Sequence, residues 1–310
     1  MPRRQSKYVI DQSLYGKRLD AALAQLHGIN RSQAVKLINA GAVEVKGAKA
    51  IKSLQLESGM YILVDEYKAL KKQPLSKKPI AELEILHEDE DIIVVNKPAE
   101  VAAHPSVSWD GADVVTSLAA TGCRISTSGP EERKGIVHRL DVGTSGVMVV
   151  AKSEIAYSIL KGYFRHREIT KVYHALVQGM PDPLAGTIEA PIGRHPHHDW
   201  KFAVLDGGKH AVTHYELLEA FGRATLVEVH LETGRTHQIR VHFAALNHPC
   251  VGDPLYGSNP IFAHELGLKR QWLHAYQLKF MHPTSGQNVE FTAPYPEDLQ
   301  HSLEILRNPA

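Results

Sequence analysis

Residues 135–152 read Gly-Ile-Val-His-Arg-Leu-Asp-Val-Gly-Thr-Ser-Gly-Val-Met-Val-Val-Ala-Lys, and they admit few folded arrangements. Two apolar runs enclose an arginine and an aspartate, Arg139 and Asp141. The second run, Val147 to Ala151, has the length and β-branched character of a buried strand. Gly143, Thr144, Ser145 and Gly146 before it are turn chemistry, with glycines free to take φ > 0 and hydroxyls able to satisfy loose backbone amides. A carboxylate pressed against apolar sequence on both sides is either half of a structural ion pair or a reactive group with a tuned environment.

Two further stretches bear on that choice. Lys171-Val172-Tyr173 opens a strand-like run through Val177, and residues 234–242 read Gly-Arg-Thr-His-Gln-Ile-Arg-Val-His. Taken together, His-Arg-Leu-Asp-x-x-Thr-Ser-Gly, Lys-x-Tyr and Gly-Arg-Thr-His-Gln-Ile-Arg-Val-His resemble the motifs of the pseudouridine synthases that modify ribosomal and transfer RNA. They occur in that family's order and span nearly the whole chain. The resemblance, nearest to the large-subunit ribosomal branch designated D, implies isomerisation of uridine in RNA with no cofactor. It assigns the catalytic carboxylate to Asp141, acting on the ribose by covalent attack or by proton removal to a glycal. It makes Arg240 the partner that keeps Asp141 ionised, and Tyr173 the ring that stacks on uracil and relays the C5 proton. Arg139, beside Asp141, is expected to fill the space left by a flipped base or to contact the RNA backbone. His138, His237 and His242 are expected to be hydrogen-bonded structural residues.

Fold class follows from element order. Apolar runs at 83–86, 92–95, 147–151, 172–177, 213–218, 225–231 and 278–280 read as strands, with helical periodicity at 113–120 and 155–164 and further helices in 264–308. Without regular strand–helix alternation this predicts an α+β domain with a mixed, largely antiparallel sheet and flanking helices over residues 81–310. That is the pseudouridine synthase fold the resemblance implies. Residues 67–80, with four lysines in 71–78 and two prolines, read as a linker.

Before the linker, Leu19, Ala22, Leu23 and Leu26, then Ala34, Val35 and Ile38, recur at helical spacing on either side of Gly28, and short strands follow at Val43, Val45 and 61–64. Arg18-Leu19-Asp20, Asn30-Arg31-Ser32 and the turn from Gly41 to Val45 resemble the small S-four RNA-binding domain of a ribosomal small-subunit protein, here residues 1–66. Arg18, Arg31 and Lys36 are its candidate phosphate contacts. Residues 1–80 hold 15 Lys/Arg against 6 Asp/Glu, a charge of +9, whereas the remainder carries −8. A basic leading segment on an acidic chain points to an anionic partner. Arg165 and Arg167, closing the helix at 155–164, suit a phosphate clamp or a helix C-terminus. The partner expected is RNA, ribosomal or its precursor, bound by a monomer in the cytoplasm.

Other chemistries fit less well. No apolar stretch approaches the ~18 residues that would span a bilayer, and Met1 to Lys7 lack the apolar core of a secretory signal. Cys123 and Cys250 are too few for a disulfide framework, and no metal-ligand spacing occurs. The run Arg194-His195-Pro196-His197-His198-Asp199-Trp200-Lys201 suits a nucleic-acid strand or a plain surface loop better than a metal. A serine hydrolase would require a Gly-x-Ser-x-Gly elbow that Gly143-Thr144-Ser145-Gly146 does not supply. An RNA-binding assembly factor without activity is opposed by the presence of Asp141, Tyr173 and Arg240 together. The first motif, Asn96-Lys97-Pro98, departs from the family in having Glu100 where glycine is usual, which puts that turn's geometry in question.

Overall fold

The computed structural model describes residues 5–39, 41–65, 79–80, 83–106, 109–198 and 200–308. The chain divides into two units, Met1–Ser76 and Lys77–Ala310, and each has its own apolar core. Of the linker expected over 67–80, only residues 79 and 80 are described.

In the first unit, strand β1 (Gln5–Val9) precedes helices α1 (Leu19–His27) and α2 (Arg31–Asn39), then strands β2 (Val43–Val45) and β3 (Tyr61–Asp65). Helix α1 buries Leu19, Ala22 and Leu23 and ends where Gly28 turns left-handed, its N–H reaching the Ala24 carbonyl, a conformation open to glycine at little cost. Asn30 and Gln33 cap α2 reciprocally, each side chain accepting the other's backbone N–H at 2.9 Å. The helices share a core with Val43, Val45, Ile62 and Val64 of a three-stranded antiparallel sheet ordered β1-β3-β2. Strand β1 was not legible in its polar sequence; pairing along the whole of β3 makes it a strand.

The second unit runs β4 (Glu84–Glu88), β5 (Ile92–Lys97), α3 (Val114–Ala120), β6 (Ser145–Ala151), α4 (Glu154–His166), β7 (Thr170–Gln178), β8 (Ala185–Glu189), β9 (Ile192–Arg194), β10 (Phe202–Val204), β11 (Val212–Ala220), β12 (Ala224–Leu231), α5 (Gln238–Ala245), α6 (Pro260–Glu265), β13 (Leu273–Met281), β14 (Asn288–Thr292) and α7 (Glu297–Arg307). Eight strands follow the order β4-β5-β6-β13-β7-β12-β11-β8, and β14 pairs with the far half of β13. Only β6 and β13 are parallel, so the sheet is mixed and largely antiparallel, within an α+β unit. Every residue of β6 is buried, as a strand covered on both faces requires. Helices α3 and α4 supply Val114, Leu118, Ala156 and Leu160 to the core around it. Leu299 and Leu303 of α7 pack with Trp272 in a separate cluster.

Several elements differ from expectation. The strand expected at 278–280 is the end of the nine-residue β13, whose first half, Leu273-His274-Ala275, lies beside β6. Strand β6 starts at Ser145 because Gly146 (φ 118°) lies against Ala275: a Cβ there would fall 2.2 Å from the Ala275 carbonyl oxygen. Glu100 takes φ 62°, a left-handed conformation open to the glycine expected there and costing a side-chain-bearing residue about 1–2 kcal/mol. Its N–H donates to the Val142 carbonyl at 2.8 Å. Among the described residues, no helix is long and apolar enough to cross a membrane.

His138 joins the central loop to this framework. Its ring stacks on Phe164 of α4 at 4.6 Å, and its Nε2 accepts the Val149 N–H of β6 at 3.0 Å. Burial, with smaller contributions from Lys171 and Lys161, lowers its pKa to about 3. Between pH 6.5 and about 3 the unfolded chain therefore binds one proton more than the folded chain, and stability falls on acidification through that window. His138→Gln keeps an acceptor for Val149 without the titration. Urea-unfolding midpoints measured from pH 7 to 4 are expected to fall less steeply in this variant, by at most about 1.4 kcal/mol per pH unit.

Candidate active site

Asp141 sits in the loop before β6, where the Thr144 N–H closes a turn on its carbonyl at 3.0 Å. The next carbonyl, that of Val142, is held from the β5 side. It accepts the Glu100 N–H and lies 3.4 Å from the Lys97 ammonium, which also donates to the carbonyls of Pro98 (2.8 Å) and Val101 (2.7 Å). Lys97 is fully buried. Burial and the charge of Arg270 pull its pKa down to about 7 against the opposing pull of Asp141. A buried amino group thus ties the Asn-Lys-Pro turn to the loop that carries the acid.

Arg240 faces Asp141 from α5. The arginine side chain is 4% exposed and Asp141 is 17% exposed, with Nη1 3.5 Å from Oδ2. The closer partner of the guanidinium is Asp253, which accepts from Nε at 2.7 Å and from Nη2 at 2.8 Å. Burial alone would lower the arginine's pKa, but Asp253 and then Asp141 raise it, so the charge is permanent. Asp253 also accepts the Leu255 N–H, and the Tyr256 ring lies 5.0 Å from the guanidinium carbon. One edge of the fork is fixed by Asp253 and the remaining nitrogen is offered to Asp141.

A cleft opens beside this pair, lined by Arg139, Asp141, Thr144, Tyr173, His237 and Leu273 among others. Tyr173 reaches it from β7 and is itself buried. Burial, reinforced by the charge of Asp141, holds its phenol well above the usual range, so the ring enters any reaction as a neutral donor. His237, expected to be structural, has its Nε2 4.0 Å from Asp141 Oδ2. Its backbone is left-handed (φ 58°) at the start of α5. Its Nδ1 meets the hydroxyl of Tyr256 at 2.7 Å, and that hydroxyl accepts the Phe202 N–H. Burial lowers the His237 pKa against the pull of Asp141.

Gln238 and His242 are scaffolding. Gln238 accepts the Arg235 N–H and the Thr233 hydroxyl and donates to the Val212 carbonyl. His242 is fully buried between Thr213 and the Ala190 carbonyl. Arg139 is exposed where it lines the cleft. Arg165 is exposed, and Arg167 pairs with Glu232 at 3.0 Å while capping α4; neither lines the cleft. In the first unit, Arg18 and Arg31 both donate to the buried Asp20, which fixes two partly exposed guanidiniums side by side. The Lys36 side chain lies outside what is described.

Sequence reasoning missed Asp253, the role of Lys97 and the nearness of His237. A usable signal existed for Asp253, because Cys250-Val251-Gly252-Asp253-Pro254 presses an acid against apolar residues and turn formers just as residues 139–146 do. The hairpin β9–β10 was also missed. At its tip His195, His198 and the 63%-exposed Trp200 form a ladder of rings at 4.9 and 5.1 Å. Just below the tip, Phe202, paired with Arg194, lies 5.7 Å from the His237 ring.

Comparison with known proteins places this geometry. Residues 91–245 match a family model described as RNA pseudouridylate synthase. A Mycobacterium tuberculosis protein described as an uncharacterised RNA pseudouridine synthase is 57% identical over 300 residues, covering 96% of this chain and 97% of its own. A Neisseria meningitidis protein described as ribosomal large subunit pseudouridine synthase D is 42% identical over 306 residues, covering 95% and 80%. Among solved structures, human RNA pseudouridylate synthase domain containing 1 superposes with a TM-score of 0.57 at 28% identity, covering 74% of this chain and 97% of its own.

The arginine between two carboxylates yields a direct test. Asp253→Asn keeps the shape of the site but leaves a buried guanidinium short of its closest counter-charge. Stability is expected to fall by about 3–5 kcal/mol, read by urea denaturation at neutral pH; a loss below about 1 kcal/mol would show that Arg240 is held by other contacts.

Proposed function

The chain belongs to the RNA pseudouridylate synthase family, and from that premise we propose that it converts specific uridines of large-subunit ribosomal RNA, or its precursor, to pseudouridine, with Asp141 as the catalytic carboxylate. The observation that carries the reading is the buried approach of Arg240 Nη1 to Asp141 Oδ2 in a cleft that Tyr173 also lines. The relatives described as acting on the large ribosomal subunit support the choice of RNA.

The reaction breaks the bond between N1 of uracil and C1′ of ribose, turns the base, and joins C1′ to C5. No atom is gained or lost, so neither a redox partner nor a group donor is needed. Asp141 acts at the ribose, either attacking C1′ as uracil leaves or taking a proton from C2′; both routes use an ionised carboxylate at the same place. Arg240 keeps it ionised and oriented, and Asp253 keeps Arg240 turned toward it. Tyr173 stacks on the uracil ring while the base rotates. Once C5 is bonded to C1′ its proton must leave, and the neutral phenol can relay it, its oxygen accepting the C5 proton while its own passes to the carboxylate of Asp141, which is free again at that stage.

A uridine stacked in folded RNA must be extruded to reach this cleft, at a cost of a few kcal/mol. Arg139, exposed at the cleft, is placed to enter the vacated stack or to hold the neighbouring phosphate. The rings of His195, His198 and Trp200 offer a stacking surface for unpaired bases, on a hairpin that meets the site through Phe202 beside them. Arg165 and Arg167 add cations on the same unit. Residues 1–66 act as an S-four-type RNA-binding domain, with Asp20 holding Arg18 and Arg31 toward phosphates and Lys36 beside them in sequence. The enzyme works as a monomer in the cytoplasm.

Mapping pseudouridines in RNA from cells lacking the protein tests the substrate. One or a few positions in large-subunit ribosomal RNA are expected to revert to uridine, restored by the wild-type gene but not by Asp141→Asn. Loss confined to transfer RNA would overturn the ribosomal assignment, and restoration by Asp141→Asn would overturn the catalytic one. In vitro, Asp141→Asn is expected to lower turnover by at least about 10³-fold with RNA affinity nearly unchanged. Deleting residues 1–76 is expected to weaken RNA binding and flatten its dependence on salt while the second unit stays folded; an unchanged salt slope would remove that segment from RNA binding.

A further inference from the structure

The face of the sheet opposite Tyr173 carries a group of donors that the isomerisation does not use. Successive strand residues point to opposite faces, so His174, next to Tyr173 on β7, points away from the cleft. In the register of the sheet His174 lies opposite Glu228 of β12, and Glu228 lies opposite Glu216 of β11. His230, two residues along β12, joins the two glutamates, and His174 approaches them through Glu228. Ligand atoms of Glu216, Glu228 and His230 lie within 4.8 Å of one another.

Two observations set this cluster apart from an ordinary acidic patch. His174 is 6% exposed, and its buried Nε2 makes no hydrogen bond, although it lies 3.4 Å from Glu228 Oε2. Its other nitrogen meets the Tyr295 hydroxyl, and its ring stacks on Tyr276 at 4.0 Å, so the orientation is imposed rather than chosen by the free nitrogen. The second observation concerns charge. Carboxylates directly opposite on neighbouring strands repel, and among the described residues no lysine or arginine forms an ion pair with Glu216 or Glu228. Glu228 meets His230 at 2.8 Å and His174 at 3.4 Å, both imidazoles.

We propose that His174, Glu228, His230 and Glu216 form a binding site for a divalent transition-metal ion of the zinc type, joining β7, β12 and β11 behind the catalytic cleft. Two imidazoles and two carboxylates suit a borderline ion in tetrahedral geometry. With bonds of about 2.0–2.1 Å, the edge between two tetrahedral ligands is about 3.3–3.4 Å. The His174–Glu228 separation is therefore too long for a good hydrogen bond and right for a shared metal. His230 exchanges its hydrogen bond to Glu228 for the ion, and Tyr295 acts as the outer partner that orients the His174 ring. The ion neutralises the facing carboxylates and braces the strand that carries Tyr173.

The test uses the full-length, untagged chain stripped of metal with a chelator, titrated with zinc ion against a chromophoric competitor. One equivalent is expected to bind, with a raised thermal midpoint, and cobalt ion at the same site is expected to give the visible absorption of a tetrahedral complex. His174→Gln and Glu228→Gln are each expected to weaken binding at least tenfold. Glu216→Gln, at an exposed position where folding is not at stake, is expected to weaken it as well. Changing His195, His197 and His198 together to Gln is expected to leave it unchanged. No stoichiometric binding, binding indifferent to the His174, Glu228 and Glu216 changes, or binding lost with the exposed histidine loop would each overturn the proposal.

Discussion

One guanidinium between two carboxylates holds the catalytic unit in register. Arg240 is nearly inaccessible to water, and a lone cation there would be strongly destabilising. Asp253 supplies the compensation through two short parallel hydrogen bonds, and Asp141 supplies the longer, looser contact. That inequality is chemically useful. A carboxylate bound bidentately would be oriented but poorly reactive, whereas one facing a single nitrogen at 3.5 Å feels the charge and keeps oxygen lone pairs for the substrate. A lysine at 240 could not serve both acids, because a point charge lacks the fixed fork that spends one edge and offers the other.

Three separate chain segments must meet for this to work, and the sheet brings them together. The loop before β6 carries Asp141; the start of α5 carries His237 and Arg240; the turn before α6 carries Asp253 and Tyr256. Strand β6 is anchored on β13 by an approach so close that only a glycine fits at 146. Lys97 and Glu100 grip the Val142 carbonyl from the other side. Glu100 shows that this turn depends on backbone geometry more than on residue type, since it adopts the left-handed conformation for which glycine is the easier choice.

What the sequence revealed and what it hid divide along physical lines. The meeting of Arg240 with Asp141 beside a cleft that Tyr173 lines was expected because each lies in a short run whose residue types and spacing are distinctive. The strand at 147–151 was legible because burial on both faces leaves an unbroken apolar run. Asp253 was hidden because its partner is thirteen residues away on a helix, and an acid before proline also reads as an ordinary turn. Helix α5 was hidden inside a motif that reads as binding chemistry, and β8, β9, β10 and β14 are short strands of three to five residues, defined by pairing rather than by period. The His174–Glu228–Glu216 row was unreadable in principle, since it exists only through the register of three strands, with His174 more than forty residues from either glutamate.

Charge and site then separate into different tasks. Residues 81–310 carry −8, so that part of the chain as a whole repels a polyanion, whereas the +9 of residues 1–80 would attract one. On the reading proposed for this chain, the leading unit supplies affinity that salt can screen. The catalytic unit supplies selection through a few fixed groups: Arg139 at the cleft, the ring ladder of His195, His198 and Trp200, and the arginines at the end of α4. An acidic body behind a small cationic cleft discourages RNA from settling anywhere else on that unit. The net repulsion is thus part of how a single uridine, rather than any phosphate, comes to lie against Asp141.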